Sequence, residues 1–123
     1  MDNWIWKVWK MNELTNIYKM LSDETRLRII VLLAQKELCV CEISDILEVS
    51  QPSISKNLSK LRDLDFVTTE RKEKFIFYNL KTDNPILKRT IQDILENIND
   101  FPQLVLDKNK HVDRKFLFDN CCN

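Results

Sequence analysis

The chain has 123 residues, 44% apolar and 31% charged, which suits one soluble globular domain with a core of its own and no need of disulfide staples. Its 19 basic and 19 acidic residues cancel, so any nucleic-acid partner must be attracted by a local arrangement rather than by overall charge. With no glycine, the chain cannot form a glycine-rich phosphate loop, which excludes dinucleotide and P-loop nucleotide chemistry, and every tight turn is expected on Asn, Asp, Ser or Pro.

No apolar run is long enough to span a bilayer, and "MDNWIWKVWK" is too short and too broken by lysine for a signal peptide. A cytoplasmic protein with reduced cysteines and no membrane partner is expected. Its four cysteines, Cys39, Cys41, Cys121 and Cys122, then read as ligands, sensors or buried thiols rather than staples.

Residues 1–11 form a Trp-rich extension whose Trp4, Trp6 and Trp9 are expected to pack, in an extra helix, on a dimer or over a metal site. Leu14, Ile17, Tyr18 and Leu21 have helical spacing over 12–22. Ser22 or Asp23 caps a second helix that buries Leu27, Ile30, Val31 and Ala34. A short third helix, about 41–48, buries Ile43, Ile46 and Leu47. "EVS" turns the chain into a fourth helix, about 51–64, with Ser50 as N-cap and Pro52 in the first turn, where proline is tolerated. Its inner face carries Ile54, Leu58 and Leu61.

"FVTTERK" and "FIFYNL" are rich in β-branched and aromatic residues and are separated by a charged turn near Glu73, which predicts a β-hairpin. After Asn84-Pro85, a helix over about 86–99 carries Leu87, Ile91, Ile94, Leu95 and Ile98 on one stripe. The tail, 101–123, has weak periodicity and ends in the Cys121-Cys122 pair. The fold class expected is mainly α with a small β-hairpin, a winged helix-turn-helix spanning 1–100.

A short helix, a tight turn and a longer helix with a polar outer face is the arrangement that places a helix in the major groove. The outer face here offers Gln51, Ser53, Ser55, Lys56, Asn57, Ser59 and Lys60. Gln51 suits adenine, the serines can donate or accept, and the lysines suit phosphates. Arg71, Lys72 and Lys74 crowd the hairpin tip, where a wing meets the backbone or minor groove. Each lysine alone could be an ordinary solvated residue; the order of polar face, turn and basic tip is what carries the reading.

The stretch from Leu21 to Leu80, "LSDETRLRIIVLLAQKELCVCEISDILEVSQPSISKNLSKLRDLDFVTTERKEKFIFYNL", resembles the arsenic-repressor (ArsR/SmtB) family of winged-helix regulators. The resemblance implies a homodimer joined through its first and last helices, here 12–22 and 86–99. It implies binding to double-stranded operator DNA at an imperfect inverted repeat, and release by a metal or metalloid inducer. "SQPSISKNLSKLRD" stands where the family has its recognition helix, with Asn57 where many members have His. Arsenic-sensing members carry "ELCVCDLC"; this chain has "ELCVCEIS". Cys39 and Cys41 match the first two ligands for As(III) or Sb(III), and Ser44 stands at the third.

Residues i and i+2 point to opposite faces of a strand and lie roughly 200° apart around a helix, so one ion holding both sulfurs must distort the start of the third helix. Thiolates favour soft ions, and a cysteine at a helix N-terminus is expected to deprotonate readily. Cys121 or Cys122 then becomes the candidate third ligand, on its own or the partner subunit; the four cysteines together would suit tetrahedral zinc or cadmium. A Cd, Pb or Zn thiolate sensor and a thiol redox or persulfide sensor remain the alternatives. A zinc site of His and carboxylates on 86–99 is disfavoured, because Asp93 and Glu96 have no histidine beside them and His111 lies in the tail. No nucleophile and base pair is apparent, so an enzyme is not expected.

Overall fold

The computed structural model describes residues 4–120. Expectations for Cys121 and Cys122, and for the side chains of Trp4 and Trp6, fall outside what it describes. Among the described residues, seven α-helices and three short strands follow in the order α1 (Trp4–Leu21), α2 (Glu24–Leu33), β1 (Leu38–Cys39), α3 (Val40–Leu47), α4 (Gln51–Asp63), β2 (Val67–Lys72), β3 (Phe75–Leu80), α5 (Pro85–Glu96), α6 (Pro102–Asn109) and α7 (Arg114–Asn120), with a 3-10 turn at Ile98–Asp100 between α5 and α6. None of the described helices is long and apolar enough to cross a membrane.

Helix α1 starts well before residue 12, so the Trp-rich extension is not a separate helix but its first turns. On that half Trp9 is 62% exposed, and Ile5, Val8 and Met11 are exposed too. Asp23, rather than Ser22, caps α2 by accepting the Arg26 N–H at 3.0 Å. Asn84 caps α5 in the same way, accepting the N–H groups of Ile86 and Leu87, and Pro85 enters the first turn, where its missing N–H costs nothing.

The core joins Ile17 and Met20 of α1, Ile29, Ile30 and Leu33 of α2, Ile43, Ile46 and Leu47 of α3, Ile54, Leu58 and Leu61 of α4, and Leu87 and Ile91 of α5. Each such side chain, fully buried, stabilises the fold by roughly 1.5–3 kcal/mol relative to exposure. The core therefore runs directly beneath the helix-turn-helix.

Three turns take the left-handed conformation without glycine, at Glu48, Asp65 and Glu73, with φ of 57°, 66° and 57°. Two of these are glutamate, a residue outside the expected set. At the end of α4, Phe66 N–H returns to Leu61 O at 2.8 Å and Asp65 N–H to Arg62 O at 3.0 Å, the pairing of a Schellman stop with aspartate in the usual glycine position. The tertiary course of the chain overrides local preference at these turns.

The hairpin is present as expected, Val67 opposite Leu80 through Lys72 opposite Phe75. A third strand was not foreseen: β1 pairs antiparallel with β3, Leu38 opposite Tyr78 and Cys39 opposite Phe77, giving the order β1-β3-β2. The tail is also more ordered than its periodicity suggested. Helix α6 packs on α2, where Asp107 of α6, 3% exposed, accepts from both Nε and Nη2 of Arg28 at 2.9 and 2.8 Å. Helix α7 packs on α3.

Candidate nucleic-acid interface and thiol site

Helix α4 buries Ile54, Leu58 and Leu61 and turns Gln51, Ser55, Lys56 and Lys60 outward, as its sequence pattern requires. Ser53 and Asn57 are half-buried, and Asn57 Nδ2 donates to the Ser53 carbonyl at 2.9 Å. Asn57 must therefore leave a bond on its own helix to touch a base. Ser50 is the N-cap by position, but its side chain makes no capping bond.

At the hairpin tip, Arg71, Lys72 and Lys74 are exposed, and each has a local tie. Arg71 Nε donates to Glu73 O at 3.3 Å. Lys74 lies 5.4 Å from the Phe75 ring centroid. Lys72 pairs with Glu37, whose other carboxylate oxygen accepts from Asn79 Nδ2 at 3.0 Å. Hydrogen bonding with Glu37 holds the Lys72 ammonium above its usual range and the Glu37 carboxyl below its own. The pair ties the wing to the residue two before Cys39.

The thiols sit at a junction. Cys39 ends β1 and is the N-cap of α3, while Cys41 lies in the first turn of that helix. They are 3% and 2% exposed and form a small cluster with Phe75 and Phe77 of β3, covered by Phe118 of α7. Burial, with Glu42 close by, pushes the Cys39 thiol up to about 11. The ready ionisation expected at a helix N-terminus is thus reversed: removal from water outweighs the helix dipole. Cys39 is a free thiol, whereas Cys41 is disulfide-bonded. Among the described residues, no three His, Cys, Asp or Glu side chains converge as a metal site would require.

Ser44 is occupied elsewhere. Its hydroxyl donates to Val49 O at 2.6 Å, and its carbonyl accepts from the N–H groups of Glu48 and Val49. The residue at the third ligand position of "ELCVCEIS" therefore fastens the turn between α3 and α4.

Three residues at this site were missed by sequence reasoning. Glu42 is 1% exposed and accepts from Cys39 N–H at 3.1 Å, from Arg114 Nε at 2.6 Å and from Arg114 Nη2 at 3.3 Å. Phe118 stacks on Phe75 with centroids 4.2 Å apart. Glu42 had a legible signal, an acidic residue three places after an N-cap. Arg114 and Phe118 had none, because their partners lie far away in sequence.

A buried helix-turn-helix, a polar outward helix and a basic hairpin beside it define a winged-helix regulator of the DNA-binding class. The family model described as bacterial regulatory protein, arsR family, matches residues 23–69. The chain is 41% identical over 70 residues to the arsenic resistance transcriptional regulator ArsR1 of Pseudomonas putida, a match spanning 56% of this chain and just over half, 55%, of that relative. It is 36% identical over 87 residues to the arsenical resistance operon repressor of Staphylococcus aureus, covering 71% of this chain and 78% of that one. Among solved structures, the AntR antimony-specific transcriptional repressor superposes with a TM-score of 0.62 at 26% identity, covering 76% of this chain and 83% of that one. The chain belongs to the arsR family of bacterial regulatory proteins.

Proposed function

We propose that the protein is a cytoplasmic, homodimeric transcriptional repressor whose operator complex is released when As(III) or Sb(III) is bound by Cys39, Cys41 and one tail thiol, Cys121 or Cys122. Helix α4 reads the major groove through Gln51, Ser53, Ser55 and Asn57, with Lys56 and Lys60 on phosphates. Arg71, Lys72 and Lys74 meet the flanking backbone from the wing. Two copies, joined through α1 and α5, match two half-sites of an inverted repeat. The exposed Ile5, Val8, Trp9, Met11 and Tyr18 of α1 give that interface its apolar surface.

The observation that carries the inducer reading is the packing of Phe118 over Cys39 and Cys41. Cys121 stands three positions after Phe118, so their α-carbons are at most about 11 Å apart however the chain runs. That short spacing supports a tail thiol as the third ligand, which the Ser44 position cannot supply. The arsenical and antimony repressors among the similar proteins favour the same class of ion.

The switch follows from where the pair lies. Cys39 is held by the β1–β3 pairing and Cys41 by the first turn of α3. An ion that draws both sulfurs together must reshape this junction, and α3 is packed on α4. Binding the inducer and holding the reading geometry then compete. A hundredfold loss of operator affinity requires a difference of about 2.7 kcal/mol in inducer binding to the two states.

The test is a gel shift on the DNA upstream of the gene, with wild type and Cys121→Ser/Cys122→Ser, titrated with As(III). Release of wild type at micromolar As(III), with at least tenfold weaker response in the double variant, is expected. An unchanged response in the variant rejects the tail thiols as ligands. One observation favours a second reading, a thiol redox sensor: Cys41 is disulfide-bonded. Release by a mild oxidant, reversed by reductant and absent with As(III), would select it.

A further inference from the structure

Glu42 is a fully buried carboxylate on the helix that follows the thiol pair, and such a charge is tolerated only when it is paired and hydrogen-bonded. Its cation comes from 72 residues away, at the start of α7, with Arg114 Nε and Nη2 on its two oxygens at 2.6 and 3.3 Å. The same guanidinium lies 5.5 Å from the Phe77 ring centroid and 5.9 Å from that of Phe118, and Nη2 donates to the Glu37 carbonyl at 3.5 Å. Phe118 follows Arg114 by four residues, hence on the same face of α7, and stacks on Phe75 while meeting Phe77 edge-on at 6.1 Å. One helical face therefore carries two grips, ionic and aromatic, on the surface that encloses Cys39 and Cys41.

We propose that Arg114 is a positioning residue of the inducer site, a latch that docks α7 across the Cys39–Cys41 junction through the Glu42 carboxylate. It touches neither sulfur as a ligand. Its work is to hold Phe118 over Cys39 and Cys41, which restricts entry of a thiophile, and to keep α7 docked beside the pair. Taking Arg114 away leaves Glu42 to be hydrated or neutralised, and either course loosens α7 from α3. Lysine keeps the charge but cannot supply the two parallel N–H donors, so Arg114→Lys restores the latch only in part. Its bond toward the wing is to the Glu37 carbonyl and not to the carboxylate that holds Lys72, which keeps inducer response largely separate from operator binding. The effect on As(III) affinity rests on the function proposed above, whereas the covering of Cys39 does not.

The experiment uses the full chain, kept reduced, as wild type, Arg114→Ala, Arg114→Lys and Phe118→Ala. Three quantities are read: the rate of iodoacetamide labelling at Cys39 by mass spectrometry, As(III) affinity, and affinity for the upstream DNA. Labelling at least tenfold faster and As(III) binding at least tenfold weaker are expected in Arg114→Ala and Phe118→Ala, with DNA affinity within threefold of wild type and Arg114→Lys in between. Unchanged Cys39 labelling in the folded variants would overturn the latch, as would As(III) and DNA affinities falling by the same factor. If Arg114→Ala does not fold, Phe118→Ala decides, because it leaves the Glu42 pair in place. If wild type binds no As(III), the proposed function fails and the labelling rates alone uphold or overturn the latch.

Discussion

Single residues of the α3–α4 turn show how the fold is fixed without glycine. Glu48 holds φ at 57° so that its N–H and that of Val49 can reach Ser44 O. A side chain in this region costs roughly 1–2 kcal/mol, of which glycine recovers part, less its own entropy. Glu48→Gly is therefore expected to stabilise the protein by about 0.5–1 kcal/mol, read as a rise in the urea midpoint with unchanged slope. Ser44 faces a different trade. Its hydroxyl on Val49 O contributes about 1 kcal/mol, which Ser44→Cys would forfeit. In return the substitution places a third thiol in the local motif. On the proposed function, Ser44→Cys/Cys121→Ser/Cys122→Ser should regain As(III)-dependent release that Cys121→Ser/Cys122→Ser lacks, as measured by gel shift. The serine was visible in the sequence as a missing ligand; that it serves the turn was not, because its acceptor is a carbonyl revealed only by the folded path.

Elements divide by how far away their partners lie. Helices α2 to α4 and the β2–β3 hairpin follow from local signals: apolar spacing, the Asp23 cap, Pro52 in a first turn, and alternating aromatics. What the sequence hid depends on distant contacts. Strand β1 is two residues long and exists because β3 offers it an edge. The first turns of α1 carry no contrast between faces, so apolar spacing alone places its start near residue 12 rather than at Trp4. Helices α6 and α7 are eight and seven residues long, short of what an isolated helix needs, and each is anchored by an ion pair to a distant part of the sequence. For α6 the anchor is Arg28–Asp107, with Arg28 Nη2 also on Leu47 O. Asp107→Leu should destabilise the protein by about 3 kcal/mol in urea unfolding, because it strands a largely buried guanidinium. Arg28→Met/Asp107→Leu should recover most of that loss.

For the molecule as a whole, zero net charge means that DNA affinity must come from a few cations on one face. Lys56→Ala and Lys60→Ala should each weaken binding to specific and non-specific DNA alike and lower the slope of log K against log salt by about one. The same face stays linked to the thiols through three connections: α3 against α4, β1 against β3, and Glu37 on Lys72. The cysteine pair and the polar face of α4 could be picked out in the sequence, but the packing of Phe118 over the first and the ties between the two could not. The central claim is that thiophilic ions and operator DNA compete for this one scaffold. The most direct measurement is the upstream-DNA complex of the reduced wild-type protein, titrated in parallel with As(III), Sb(III), Cd(II) and Zn(II). The account predicts release by As(III) and Sb(III) at concentrations at least tenfold below those needed for Zn(II). A complex that survives saturating amounts of all four ions would contradict it.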